Sequence, residues 1–509
     1  MAQDGDVISL QRRSDERQSQ FLVINFRRMF GTESTLSQSC HNRMKSNIAH
    51  AFDLVAEENA EKSVLVGKER SLTWRQIDRK AGAVASHIRG EGLSPGASLA
   101  ICFDDPIDTI IGVLGGLKAG CVIAPLNARL KSEERNKLLS LLGEPFVVDN
   151  IPNEDIVFPS VNVAPESPAI ILFTSGSTGV PKGAVLSHRS VNAGLEMWSH
   201  SALALKSDDI VISSLPLAHS YGLFGTVMAP LLKGASSVIV PRFGVEEVIS
   251  AIVDNQATIF CGVATMFRRI LESKRCVPEL LSSLRFAISG AAPCPWELAE
   301  SWRKKTGIRI IRGYGMSELF RPVCYQPNDE FETPNAVGRA AKGVTLKIVG
   351  ADDKELKGDQ AGELWIKTDS CMTGYLDSVE ETNEVMEGKW FKTGDLATIS
   401  PEGLVSIVGR KKEVILRGGY TVAAGEVEAV LNNHSEILES AVIPIPHSDL
   451  GEEICAFVVL KPLSGCLEQE VIDFCKIHMA SYKYPRIVKF ISELPKGATG
   501  KVEKVKLTT

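Results

Sequence analysis

Residues 169–183 read AIILFTSGSTGVPKG, and no other stretch restricts the fold so sharply. Five apolar residues, Ala169 to Phe173, spell a short buried strand. Glycines follow at Gly176, Gly179 and Gly183, where backbone amides can come close to phosphate oxygens. The hydroxyls of Thr174, Ser175, Ser177 and Thr178 add donors, and Lys182 adds positive charge. GSTG alone is an ordinary Gly/Ser turn. The full ten-residue string at a strand end reads as a phosphate-binding loop, and it is not a Walker loop because GxxxxGK[ST] fits nowhere in it.

Strand and helix patterns alternate on both sides of this loop. Asn47–Ala60 and Thr73–Arg89 have helical apolar spacing, and Ser98–Phe103, Cys121–Leu126 and Pro145–Val148 read as short strands. DIVISSLPL (209–217), SSVIVP (236–241), ATIFCGV (257–263) and RFAISG (285–290) read as buried strands, most of them followed by a helix. That order predicts an α/β fold with largely parallel sheets. After Gly362 the texture shifts to short strands and turns, then to a charged cluster, Arg410-Lys411-Lys412-Glu413. The expectation is a large N-terminal domain of layered α/β subdomains over 44–409 and a small, mobile α+β domain over 410–509. Residues 1–43 are polar and arginine-bearing with one brief apolar patch, and are expected to be a disordered extension; a natural start at Met44 is the second reading.

A net charge of −6 over 509 residues leaves no basic footprint, which argues against nucleic acid. No apolar run approaches the roughly 20 residues that span a bilayer, so no integral membrane segment is expected. The 11 cysteines form no CxxC pair and the 9 histidines no HExxH, so neither zinc nor a disulfide framework is supported. A reducing cytoplasm follows.

Further motifs come in a fixed order: LPLAHSYGL (215–223), SGAAP (289–293), GYGMSE (313–318), WFKTGDLA (390–397), VGRKKE (408–413), RGGYTVAAGEVE (417–428) and LPKGATGKVEK (494–504). With the phosphate loop they resemble the acyl-adenylate-forming superfamily, in its acyl-CoA synthetase branch, across about residues 46–505. The resemblance implies ATP, Mg²⁺ and coenzyme A as cofactors and a carboxylic acid as substrate. It assigns His219 to the acyl pocket and Gly290, Ala291 and Ala292 to the adenine wall. Within GYGMSE, Gly313 and Gly315 flank Tyr314, which would stack on adenine; Ser317 would contact the α-phosphate and Glu318 would hold Mg²⁺. Asp395 would take both ribose hydroxyls and Arg410 would contact ribose and phosphate, with Lys412 as the hinge. Gly418, Gly419 and Tyr420 would border the CoA tunnel, and Lys501 would be the catalytic lysine.

Read singly, several of these residues have plainer meanings. A lone histidine in an apolar run is usually a core residue, Asp395 after Gly394 suits a turn, and lysines in a charge run usually face solvent. The sequence also departs from the family pattern. Ala218 stands where an aromatic is usual, Ser317 where threonine is more common, and Thr421 and Ala424 where asparagine and proline are usual.

The resemblance implies ATP-dependent activation of a carboxylate to acyl-AMP, then thioester formation with CoA. Loading an acyl carrier protein is the alternative. An amino-acid adenylating domain is disfavoured because Leu215–Leu223 contains no acid to meet an ammonium, and a non-catalytic nucleotide-binding scaffold because Glu318, Asp395 and Lys501 are all present. Malonyl-type members carry an arginine directly before the Tyr-Gly pair; here that position is Gly313, with Arg312 one residue off and expected to point away. An apolar acyl chain, fatty or aryl, is therefore expected.

Overall fold

The computed structural model describes residues 48–175, 181–329, 332–417, 420–497 and 502–508. The predicted extension thus lies outside the described residues.

Two sheets form the body of the N-terminal domain. In the first, Ile310–Ile311, Phe286–Ser289, Ile259–Gly262, Ile210–Ser213, Ser236–Ile239 and Ser63–Val66 run parallel, and Ser71–Thr73 closes the edge antiparallel. In the second, Pro168–Ser175, Val122–Pro125, Ser98–Ile101 and Phe146–Val148 run parallel, with Pro181–Ser187 and Gly374–Tyr375 added antiparallel beyond Pro168–Ser175. Helices cover these sheets, as parallel strands buried on both faces require. The predicted strands are present. DIVISSLPL is strand only over Ile210–Ser213, because residues 217–219 turn into a π-helix, Tyr221–Met228.

Local chemistry sets the helices. Trp74–Gly90 starts at Thr73, whose side chain accepts from the Gln76 amide while Gln76 reaches back to the Thr73 amide. Pro106–Lys118 starts at Asp105, whose carboxylate accepts from the Ile107 amide. Lys118 ends that helix buried, with Asp53 at 2.6 Å and Asp78 at 2.8 Å, so a lysine inside an apolar run is neutralised rather than stranded.

His188, by contrast, opens the helix His188–Met197 at 1% exposure, and neither ring nitrogen has a hydrogen-bond partner among the described residues. Burial, with His50 nearby, lowers its pKa from 6.5 to about 4. The unfolded chain therefore takes a proton below pH 6.5 that the folded chain refuses until about 4, and stability falls as pH falls through that window. The full gap corresponds to about 3 kcal/mol. In urea unfolding at pH 7 and at pH 4, His188→Leu is expected to lose less stability on acidification than the parent, by about that amount. Equal losses would show that His188 is protonated in the fold.

Beyond Phe320–Cys324 the chain builds an antiparallel sheet from Thr345–Val349, Gly362–Lys367, Trp390–Ile399 and Val405–Arg410. Lys411–Glu413 make one 3-10 turn, and a separate C-terminal sheet follows: Tyr420–Ala423, Val414–Arg417, Gly451–Leu460, Ile437–His447 and Ile487–Phe490. It has its own apolar core around Ile415, Val427, Ile454 and Val471. The architecture is a large layered α/β domain followed by a small α+β one.

At the far end of the chain, the 3-10 turn Lys504–Lys506 returns to the junction. Lys504 lies 2.5 Å from Glu413 and 2.8 Å from Glu428.

Candidate active site

The phosphate-loop string folds as a hairpin. Pro168–Ser175 pairs antiparallel with Pro181–Ser187, with Thr174 opposite Lys182 and Ser175 opposite Pro181. Gly176, Ser177, Thr178 and Gly179 lie between these strands and outside the described residues, as does the Ser175 side chain. Unlike a Walker loop, the segment runs into a strand rather than a helix. Lys182, the first cation after the tip, sits 2.7 Å from Glu381, and its ammonium lies 5.3 Å from the centre of the Tyr375 ring.

Tyr375 connects this hairpin to GYGMSE. It stands on the edge strand Gly374–Tyr375, which pairs with Pro181–Ser187, and the Leu376 amide donates to the Gly183 carbonyl. The Tyr375 hydroxyl donates to Glu318 Oε1 at 2.9 Å. Burial and the Glu318 carboxylate raise the Tyr375 pKa far above 10, so the phenol stays a donor. Burial and Glu318 also push the Cys371 thiol up to about 12, which leaves it unreactive. Glu318 itself, 9% exposed, follows the strand Gly313–Met316 in the turn at 317–319 that also carries Ser317. Sequence reading missed Tyr375 and Glu381. Their signal, a tyrosine ahead of the acids Glu380, Glu381 and Glu384, looks like any solvated acidic face.

A second group forms around Asp395. Tyr314 donates to its Oδ2 at 2.5 Å, and Arg410 Nε lies 3.4 Å from Oδ1. Strand register sets the second contact, since Asp395 faces Arg410 across the pair Trp390–Ile399 and Val405–Arg410. Gly394 has φ 69°, and its amide donates to Glu363, whose other oxygen accepts from Lys411 at 3.0 Å. Burial and Asp395 raise the Tyr314 pKa well above 10. Two residues 96 positions apart, Tyr314 and Arg410, thus converge on one buried carboxylate.

The segments expected to form the adenine wall and the acyl pocket meet at the carboxyl ends of the parallel strands. Tyr221 is hydrogen-bonded to the carbonyls of Gly262 at 3.3 Å and Ile288 at 2.9 Å, and a side chain at Gly290 would sit 2.8 Å from its ring. Ala291 has φ 63° and, like Ala292, is exposed. His219 is half-buried in the turn that leads into Tyr221–Met228. Behind them an aromatic wall forms, with Trp198 5.7 Å from Tyr221 and 5.2 Å from Phe320, and Phe224 5.5 Å from Phe320. Gly315 continues the strand beside it. Arg312 is turned away: buried, it pairs with Glu332 at 3.0 Å and donates to the Pro334 and Thr333 carbonyls.

In the C-terminal domain, Gly418, Gly419, the Lys412 side chain and Lys501 lie outside the described residues. Tyr420 is exposed and stacks on Tyr482 with centres 4.3 Å apart, beside Arg417, which is held by Glu453. The bridge between Lys496 and Val502 closes the loop that contains Lys501. Among the described residues no group of three or more His, Cys, Asp or Glu could hold a metal ion alone. Glu318 offers hard carboxylate oxygen, which fits magnesium held chiefly by ligand phosphates.

Residues 52–157 and 144–376 match the family described as AMP-binding enzyme, and residues 426–501 match the AMP-binding enzyme C-terminal domain. The long-chain-fatty-acid–CoA ligase of Yersinia pestis is 26% identical over 524 residues, covering 90% of this chain and 93% of that one. The 4-coumarate–CoA ligase-like 3 of Arabidopsis thaliana is 35% identical over 351 residues, 67% of this chain and 63% of that one. Among solved structures, ATP-bound MatB from Rhodopseudomonas palustris is similar with TM-score 0.83 at 26% identity, over 90% of this chain and 97% of that one.

Proposed function

The chain belongs to the AMP-binding enzyme family, and we propose that it converts a carboxylic acid with an apolar acyl body, fatty or aryl, first to its adenylate and then to its CoA thioester. It is an AMP-forming acid–CoA ligase, with ATP and CoA as co-substrates. The observation that carries the residue assignment is the meeting of Lys182 and Glu318 on one tyrosine, which sets a cation and a carboxylate side by side at the phosphate hairpin.

In the first half-reaction the substrate carboxylate attacks the α-phosphorus of ATP and pyrophosphate leaves. Lys182 and Lys501 screen the charge that gathers on the phosphates, and Ser317 donates to the α-phosphate. Bound at Glu318, Mg²⁺ would supply further neutralisation there. Tyr314 covers the base against Gly290, Ala291 and Ala292, while Asp395 and Arg410 hold the ribose. In the second half a thiol attacks the acyl carbon, its proton is lost and AMP leaves. Gly418, Gly419 and Tyr420 border the thiol's path, and rotation at Lys412 exchanges this loop for Lys501. We place the domain boundary between residues 409 and 410, at the end of the strand Val405–Arg410 and just ahead of the 3-10 turn Lys411–Glu413.

The aromatic wall of Trp198, Tyr221 and Phe320, with Arg312 already committed to Glu332, supports an apolar body for the acid. No helix among the described residues is long and apolar enough to cross a membrane. All ten described cysteines are free, which supports action in a reducing compartment such as the cytoplasm.

Activity is expected to need ATP and Mg²⁺ and to yield AMP and pyrophosphate. Detection of ADP with an acyl phosphate would overturn the reading. With acid, ATP and CoA the product should be the acyl-CoA; accumulation of adenylate until a holo carrier protein is added would instead make the chain a carrier-protein loader.

A further inference from the structure

Arg321 lies on the strand Phe320–Cys324 and is 6% exposed, yet no carboxylate lies within 4.0 Å of it among the described residues. Its Nη1 donates to the Ser289 carbonyl at 3.1 Å and its Nη2 to that of Ile311 at 3.4 Å, while Nε is buried without a partner. The guanidinium lies 5.1 Å from the Trp198 ring centre. A guanidinium taken out of water is costly unless an anion meets it, and proteins seldom retain one in a core without a partner. The other buried arginine described above, Arg312, has its acid in Glu332.

The position of this cation is informative. A side chain at Gly313 would place its Cβ 2.4 Å from Arg321 Nε and 2.5 Å from Nη2, so the guanidinium fills the space that residue 313 leaves open directly beside Tyr314. The chain reaches this arrangement through Phe320 at φ 65°, a conformation that a bulky residue adopts only when its surroundings impose it. The turn thereby aims Arg321 inward, against Trp198 and the ends of the Phe286–Ser289 and Ile310–Ile311 strands, where the acyl segment also arrives. A planar fork of donors in that place matches a carboxylate or sulfonate.

We propose that Arg321 receives a second anionic group, carboxylate or sulfonate, at the far end of the acyl body, so that the substrate is a short diacid-type molecule. This rests on reading the Trp198–Tyr221 wall as the acyl site, and it narrows that reading: the body that meets the wall is apolar and its terminus is charged. The acid's reacting carboxylate goes to ATP and its second anion to Arg321.

The test compares matched acids by pyrophosphate release: pentanoate with glutarate, hexanoate with adipate, and 4-methylbenzoate with terephthalate and 4-sulfobenzoate. The parent should favour the dianionic member of at least one set by about tenfold or more in kcat/KM. Arg321→Met, which keeps the volume, should lower that member about a hundredfold while the monoacid changes little, and Arg321→Lys should fall between. Preference of the parent for monoacids in every set would overturn the proposal. So would equal losses on both members in Arg321→Met, since a cation that only staples the strand ends treats both alike; thermal midpoints of both variants, and Arg321→Lys, keep the test valid if methionine destabilises the core. If no acid in any set releases pyrophosphate from the parent, the acyl-site reading fails first and this inference with it.

Discussion

Asp395→Ala is expected to lower ATP–pyrophosphate exchange about a thousandfold. Two hydrogen bonds from the ribose hydroxyls to a charged acceptor contribute about 2 kcal/mol each, and every 1.4 kcal/mol is tenfold. The substitution also strips Tyr314 of its 2.5 Å acceptor and Arg410 of its 3.4 Å counter-ion, so the phenol proposed to cover the base loses its anchor in the same step. Most of the loss should appear in the KM for ATP. A comparison of ATP with its 2′-deoxy and 3′-deoxy forms isolates the ribose contribution: the parent should discriminate against both, and Asp395→Ala against neither. A variant that still discriminates would assign the ribose to another residue and leave Asp395 as a partner for Tyr314 alone.

Lys501→Ala is expected to separate the two half-reactions. If the lysine neutralises charge only while pyrophosphate leaves, its removal should slow adenylate formation by about two to three orders of magnitude, or roughly 3–4 kcal/mol of barrier. Thioester formation from chemically prepared acyl-adenylate should change severalfold at most. Lys501 lies just before Val502, whose bridge to Lys496 ties off the loop, and Lys496 is itself fixed to Glu439 at 2.7 Å. The loop base is thus braced by contacts that the substitution does not touch, and a general collapse of the domain is not expected. Single-turnover measurement of each half decides the matter. Equal slowing of both would make Lys501 structural and would refute the hinge exchange.

The succession of strands and helices along the chain was readable in the sequence, because it depends on local pattern. AIILF was visible as a strand from composition, but its pairing partner PKGAVLS was not, since proline and glycine at its head read as loop. Residue identities in GYGMSE could be read off directly. What could not be read was which side chains meet. Tyr375 lies far along the chain from Glu318, and only the edge strand that returns beside the phosphate hairpin brings the two together. Arg321 was passed over for the opposite reason: within FRPVC it looks like an interruption of an apolar strand, and nothing in the local pattern reveals that Gly313 has left it room. The expectation that Arg312 faces away was met, and the reason is a partner, Glu332, that no spacing rule would have picked.

Lys504 brings the end of the chain back to the place where the C-terminal domain begins, reaching Glu413 and Glu428 together. The domain's entry and exit are therefore cross-braced, and a braced frame turns without backlash. If the proposed hinge turns, an angular change within residues 411–413 would be carried to the loop closed by Val502, much as a key carries its bit with its bow. On the proposed hinge exchange, the choice of half-reaction would then be a single mechanical variable, set at one turn of backbone.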